Sequence, residues 1–204
     1  FTTGGIRLPG CTSSNTCQMQ VQGGAAVPAS TRFYGPAVAP PGGLRVTLTS
    51  DHPSAATVPT EAVVPEGAAS TSFAISTIPV AQATTVKITG TINPSGTSAS
   101  STHGIVKVMP PALVDLRLSQ TTVSAQAGSI DAWIELSGPA AAGTAIPFNL
   151  SSTLASAPSN IPINAGADRT SFKITLKPVT APTQVNVSAF YGGVTKSVLL
   201  TITP

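Results

Sequence analysis

The chain has 204 residues, of which 41% are hydrophobic and only 8% are charged, and its ten Lys and Arg against seven Asp and Glu give a formal charge of +3. That length is enough for two modest hydrophobic cores, and the hydrophobic content excludes a disordered chain. The basic residues are scattered singly, which argues against a nucleic-acid-binding role. No apolar stretch reaches the roughly 18 residues that a membrane span requires.

The N-terminal segment, residues 1–23, shows no counterpart later in the sequence and contains both cysteines, Cys11 and Cys17. Two cysteines so close together, without other cysteines in the chain, favour a local disulfide in an oxidising compartment. The alternative is half of a metal site. Such a site would need further ligands, and the chain offers only His52 and His103 for this purpose.

Beyond this segment, hydrophobic and polar residues alternate with period two, as in half-buried antiparallel strands. The 19 prolines and 18 glycines leave little room for helix and place turns every 8 to 12 residues. In the first half of the chain the pattern predicts seven strands, near residues 17–22, 29–34, 44–50, 62–65, 70–77, 84–92 and 104–109.

A domain boundary is predicted at Met109-Pro110-Pro111-Ala112, where two prolines resist both helix and sheet pairing. The predicted domains are residues 1–110, which include the cysteine-bearing segment, and residues 111–204. We expect the two prolines to act as a short, stiff hinge. The second domain repeats the strand pattern near residues 113–119, 121–125, 130–137, 145–151, 161–164, 170–177, 183–191 and 194–203, with the first two forming one split strand.

The two halves are also related in sequence. Residues 67–86 and 166–185 align at a fixed offset of 99, and ten of the twenty aligned positions are identical. The matches include Phe73 with Phe172 and Ile75 with Ile174, both on the face predicted to be buried. A repeat of this length has the size of one small domain, so the chain is predicted to be two copies of one domain in tandem.

Each copy shares further motifs, in a fixed order. A Gly-Pro pair follows an early strand (Gly35-Pro36 and Gly138-Pro139), and Thr-Ser-Phe-Xaa-Ile and Pro-Val follow later. With these shared motifs the chain resembles the tandem immunoglobulin-like modules of bacterial surface and secreted proteins. The resemblance covers about residues 24–204. The resemblance implies an all-β chain of two immunoglobulin-like β-sandwiches that act as spacers, stalks or adhesive fibres. It implies no catalytic residues.

Candidate sites are few, and we expect neither catalysis nor a metal or other cofactor. His52 directly follows Asp51, and adjacent strand residues would point to opposite faces. His103 is predicted to lie in a Ser-rich loop, residues 93–104. Three aromatic residues, Trp133, Tyr34 and Tyr191, are candidates for contact with a glycan or a partner protein. For Trp133, which falls on the predicted outward face, packing under a loop or against the other domain is the alternative.

Together these patterns predict a non-catalytic, extracellular or cell-surface structural protein: a stalk, a spacer or the repeating subunit of a fibre. The alternative is an adhesin module that binds carbohydrate or a host surface. The N-terminal segment could pair with an open sheet edge of a neighbouring chain and so drive self-association. It could equally form the first strand of its own domain, and the sequence leaves both interpretations open.

Overall fold

The computed structural model describes residues 3–10, 18–33, 37–93 and 99–204. The chain divides into two compact units, Phe1–Met109 and Pro110–Pro204. Apart from one turn of 3-10 helix at Ala125–Ala127, the regular structure of these residues is β-strand, and the predicted fold class, two β-sandwich domains, is confirmed. Within this part of the chain no helix is long and apolar enough to cross a membrane.

Unit 1 pairs a four-stranded sheet with a five-stranded sheet. The strand order is β1-β3-β7-β5 in the first sheet and β2-β9-β8-β4-β6 in the second. All pairings are antiparallel except that of β2 with β9, which is parallel. The strands are β1 (Thr3–Arg7), β2 (Gln18–Gln22), β3 (Ala26–Phe33), β4 (Leu44–Ser50), β5 (Ala56–Thr57), β6 (Glu61–Val64), β7 (Ser70–Thr77), β8 (Thr84–Ile92) and β9 (Ser100–Met109).

Unit 2 has the same plan. Its sheets have the orders β10-β12-β16-β14 and β11-β18-β17-β13-β15, and again one pairing, that of β11 with β18, is parallel. The strands are β10 (Leu113–Leu118), β11 (Thr122–Ser124), β12 (Ser129–Leu136), β13 (Ala145–Leu150), β14 (Ala155–Ser156), β15 (Asn160–Pro162), β16 (Arg169–Leu176), β17 (Thr183–Tyr191) and β18 (Val194–Thr203).

The period-two pattern decides which face of each strand is buried. In β8 and β17 the inward residues Val86, Ile88, Val185 and Val187 are fully buried, while the residues between them are exposed. Each sandwich has its own continuous core of Val, Ile, Leu, Ala and Phe side chains drawn from both of its sheets. The predicted inward parity of the strands is thereby confirmed.

The N-terminal segment does have a counterpart, and the prediction that it lacks one is wrong for its described part. Strand β1 pairs with β3 as β10 pairs with β12, and β2 pairs with β9 as β11 pairs with β18. Ile6 of β1 is fully buried and lies over Gly90 and Gly104 of the opposite sheet, where an added Cβ would come within 3.5 and 3.2 Å of it. These strands therefore belong to the fold of unit 1.

The predicted split first strand changes sheets. In unit 2, β10 and β11 are separated by only residues 119–121, yet they lie in different sheets. The corresponding stretch of unit 1 is longer, residues 8–17, and contains both cysteines. Cys11 and Cys17 lie outside the described residues, so their disulfide stays a prediction.

The hairpins that end the two units differ in length. In unit 2, Gly192 and Gly193 alone connect β17 to β18, with φ of +58° and +81°, a backbone conformation that other residues rarely adopt. In unit 1, residues 93–99 make the same connection. Strand β9 begins at Ser100, so His103 is an exposed strand residue opposite Thr89. The prediction of a loop over residues 93–104 is wrong from Ser100 onward.

The repeated phenylalanines provide a test of the two cores. Phe73→Ala should lower the free energy of unfolding of unit 1 by about 3–5 kcal/mol, because Phe73 is only 8% exposed. Phe172 is half-buried and meets the Phe148 ring edge-to-face at 4.8 Å, so Phe172→Ala should cost less. Leu199→Ala, at a side chain 49% exposed, is the matched control and should cost under about 0.5 kcal/mol. Denaturant unfolding of the full chain measures all three, and a negligible loss for Phe73→Ala would contradict the assigned core.

Candidate functional site

Trp133 lies in the middle of β12 and points away from the core of unit 2. Its neighbours in β12, Ala132 and Ile134, are buried, whereas Trp133 is 42% exposed. In register, Arg117 of β10 lies beside it on one side and Ser171 of β16 on the other. The sequence prediction of an outward Trp133 is confirmed.

The same outer face holds six charged side chains. They come from the positions two residues before and after Trp133 and from the neighbouring strands, because successive outward residues of a strand are two apart. We call this surface the Trp133 face; it consists of Asp115, Arg117, Asp131, Trp133, Glu135, Arg169, Ser171 and Lys173.

These charges are paired with one another. Arg117 bonds the carboxylate of Asp115, and Lys173 Nζ donates to Asp131 Oδ1 at 2.9 Å. Arg169 lies 3.9 Å from Glu135 and 3.2 Å from the adjacent Asp168. The hydrogen bond from Arg117 holds the pKa of Asp115 below its usual value. The charged side chains around the indole therefore form three separate groups of paired opposite charges, which together we call the charge network.

An open depression of about 510 Å³ lies against the indole. Its lining includes the half-buried Leu118, the two guanidinium-bearing residues Arg117 and Arg169, and Glu135. The depression thus combines one large apolar ring with donors and acceptors at its rim. Its volume falls in the range of about 300–1,000 Å³ that is typical of small-molecule sites, and its lining is more polar than is usual for them.

The equivalent surface of unit 1 is different. By register Ser30 takes the place of Trp133, with Arg7 beside it in β1 and Ser72 beside it in β7. Around them the outward residues are mostly small, such as Pro28 and Ala74. The two units therefore share a core and a topology while this face of unit 2 alone combines an indole with a charge network.

The other two aromatic candidates do not join Trp133. Tyr34 lies outside the described residues. Tyr191 is at the end of β17, in the other sheet of unit 2, where it is half-buried against the core. Its hydroxyl is buried and has no hydrogen-bond partner in the described part of the chain, so it is not presented to a ligand.

Sequence reasoning did not identify the charge network. Its signal was the spacing of Asp131, Trp133 and Glu135, which period two places on one side of a strand. A search for acidic clusters of the DxD or ExxE type does not detect the charge network. Its basic members, such as Arg117 and Lys173, lie in strands other than β12. Register between strands brought these residues together.

Asp51 and His52 do meet, and the expectation that they point to opposite faces is wrong. They follow the end of β4 at Ser50, in a bend, and His52 Nδ1 lies 2.9 Å from Asp51 Oδ1. The backbone amide of Lys87 in β8 also donates to Asp51 Oδ1, at 2.8 Å. Burial alone would raise the pKa of Asp51, but these hydrogen bonds outweigh it and keep the pKa below its usual 3.8.

The hydrogen bond from the Lys87 amide to Asp51 has a structural counterpart in unit 2. There Ser151 Oγ accepts a hydrogen bond from the backbone amide of Asn186 at 2.8 Å. Ser151 directly follows β13, as Asp51 follows β4, and Asn186 lies in β17. Asp51 and Ser151 thus both cap an exposed strand amide. Among the described residues no group of three or more His, Cys, Asp and Glu side chains could hold a metal ion.

Neither a protein-family model nor a curated protein matches the chain. Solved structures similar to it include the Yersinia pseudotuberculosis adhesin InvE, at 12% identity and a TM-score of 0.45 over 97% of this chain and 58% of that one. The Escherichia coli adhesin FdeC has 14% identity and a TM-score of 0.40, over 98% and 63%. Domains 4 and 5 of the S-layer protein SbsC have 14% identity and a TM-score of 0.31, over the full length of both.

This chain spans about three fifths of the length of the two adhesin structures. At such identities the likeness concerns the fold alone.

The hydrogen bond from the Lys87 amide to the Asp51 carboxylate should make the stability of unit 1 depend on pH. At neutral pH, Asp51→Ala should lower the free energy of unfolding of unit 1 by about 1 kcal/mol, because the Lys87 amide loses its acceptor. Asp51→Ser, which copies Ser151, should restore most of the loss. A lowered pKa means that the carboxylate stabilises the folded state above pH 3.8 and that this stabilisation disappears on further acidification.

Thermal unfolding of the three proteins between neutral pH and pH 3 measures this effect. The wild-type advantage over Asp51→Ser should shrink as the pH falls below 3.8. An advantage that grows on acidification would contradict the assigned role.

Proposed function

We propose that the chain is a non-catalytic structural protein outside the cell, which bears tension as a stalk or spacer or as the repeating subunit of a surface fibre. Each unit of the chain repeats the same strand plan. The observation that carries the proposal is the parallel pairing between the early and the last strand of each unit.

In unit 2, Thr122, Val123 and Ser124 of β11 lie opposite Thr201, Ile202 and Thr203 of β18, running in the same direction. When the two chain ends are pulled apart, β11 and β18 are dragged past each other along their length. All the hydrogen bonds between them then bear load together and must break nearly at once. Antiparallel strands pulled from one end would instead separate one bond at a time.

Unit 1 has the same arrangement. Five residues of β2, Gln18–Gln22, pair in parallel with Ile105–Met109 of β9, and the amide of Gly23 donates to Met109 O at 3.0 Å. In both units the parallel pair connects an early strand to the last strand. Tension applied to the ends of the whole chain would therefore load one parallel pair in each unit.

The composition supports a role outside the cell. Charged residues make up 8% of the chain, and Ser and Thr are the commonest residues at the exposed strand positions. Hydroxyl groups bond water without depending on pH or ionic strength, whereas interactions between surface charges weaken as salt rises. A surface of this kind keeps its properties where the medium is not controlled by a cell.

The proposal includes no catalytic step. His52 and Asp51 form a hydrogen-bonded pair, but within the described residues no hydroxyl is hydrogen-bonded to the His52 ring, as a nucleophile would be. The pair also has a structural explanation, the cap on the Lys87 amide.

The fibre version requires self-association, and one edge of unit 1 favours it. In the described structure, β5 pairs with β7 only at Ser76 and Thr77. The outward residues along the rest of β7 are Ser70, Ser72 and Ala74, without charge. In unit 2 the equivalent strand carries Arg169 and Lys173, and charged side chains are a common defence of a sheet edge against pairing with other chains.

Single-molecule stretching tests the mechanical role. The full chain, held by its ends, should show two unfolding events of high force. Thr201→Pro removes the amide that donates to Thr121 O at 2.8 Å, and should lower the force of one event while leaving the other unchanged. Phe148→Ala, which destabilises the core of the same unit but keeps the β11–β18 bonds, is the control.

At equal loss of unfolding free energy, Thr201→Pro should weaken unit 2 mechanically far more than Phe148→Ala. Equal effects of the two substitutions on the unfolding force would contradict the proposal, since the force would then follow stability rather than the parallel pair.

A further inference from the structure

The Trp133 face has features that a spacer does not require. An indole that is 42% exposed leaves a large apolar ring in water, next to a depression of about 510 Å³. The equivalent position of unit 1 is Ser30, so the fold itself does not need an aromatic residue there. The contrast between two otherwise matching sheets indicates that the ring serves a contact.

The polar groups around the ring are paired with oppositely charged neighbours. Arg117 is fixed by Asp115, and Arg169 lies between Glu135 and Asp168. A side chain that is already paired loses less conformational freedom when a ligand binds. The entropic cost of hydrogen bonds from its remaining donors and acceptors to the ligand is therefore lower. The rim of the depression therefore presents planar donors and acceptors that are partly preorganised.

The charges decide which class of ligand this arrangement suits. Two guanidinium groups, those of Arg117 and Arg169, face three carboxylates, those of Asp115, Glu135 and Asp168. The immediate surroundings thus have no excess of positive charge that would attract a carboxylate, sulfate or phosphate. A neutral molecule rich in hydroxyl groups can use both the donors and the acceptors.

We propose that the Trp133 face binds a neutral sugar, with one pyranose ring lying on the Trp133 indole and its hydroxyl groups bonded to Arg169 and Glu135. The ring C–H bonds of a pyranose form an apolar face that matches the indole, while its hydroxyls donate and accept at the edges. Two or three linked sugars would extend along the depression toward Arg117 and Leu118. This binding would add adhesion to the spacer function and does not depend on it.

The single tryptophan of the chain makes the test direct, because all tryptophan emission comes from Trp133. The full chain is titrated with neutral oligosaccharides built of glucose, galactose, mannose or N-acetylglucosamine, and separately with glucuronic acid and N-acetylneuraminic acid. We expect a saturable change of emission with at least one neutral series and none with the two acidic sugars.

Saturation-transfer NMR on the sugar that binds then compares the variants, because this measurement does not require the tryptophan that Trp133→Ser removes. Trp133→Ser, which copies Ser30 of unit 1, should weaken binding at least about tenfold, equivalent to about 1.4 kcal/mol. Arg169→Ala should weaken it several-fold. Phe190→Ser is the matched control, since Phe190 is 49% exposed on a strand of the other sheet of the same unit, and it should bind as the wild type does.

Three results would overturn the proposal: no response to any neutral series, equal binding of the acidic sugars, or undiminished binding by Trp133→Ser. Circular dichroism of each variant separates loss of binding from loss of fold. If Trp133→Ser does not fold, Arg169→Ala, an exposed substitution, decides the question by the same measurement.

Discussion

The structure of each unit depends on a change of sheet made by its first stretch of chain. Strands β1 and β10 join one sheet, and β2 and β11 cross to the other, where they lie parallel to the last strand of the unit. This crossing joins the first stretch of each unit to both of its sheets and pairs that stretch with the last strand of the unit. It buries Ile6 and Leu116 between the sheets, and it places the parallel strand pair in the path of any force applied to the chain ends.

Once the core and this crossing are fixed, the outer faces are free to differ. The inward residues of the two units follow the same pattern, but Trp133 stands where unit 1 has Ser30, and Asp51 stands where unit 2 has Ser151. In the second case two residue types perform one task, the capping of an exposed amide. In the first case the chemistry of the surface changes altogether, so the surface around Trp133 differs between the two units.

Period-two alternation was enough to predict most strands and their buried faces, because burial of one face is what selects them. It missed β5 and β14, since two residues show no period, and it missed β1, where Gly4 and Gly5 hide the alternation around Ile6. The contact of Asp51 with His52 depends on a bend, and the charge network around Trp133 depends on register between strands distant in sequence. Neither is encoded in any local spacing.

Each sandwich is closed by its own strands, and the parallel strand pair completes the closure. Amide hydrogen exchange on residues 110–204 alone, compared with the full chain, tests it most directly. We expect one cooperative unfolding transition of the isolated unit. We also expect the Thr201 amide, which donates to Thr121 O, to be equally protected in both proteins. Rapid exchange at Thr201 in the isolated unit, or unfolding without cooperativity, would contradict it.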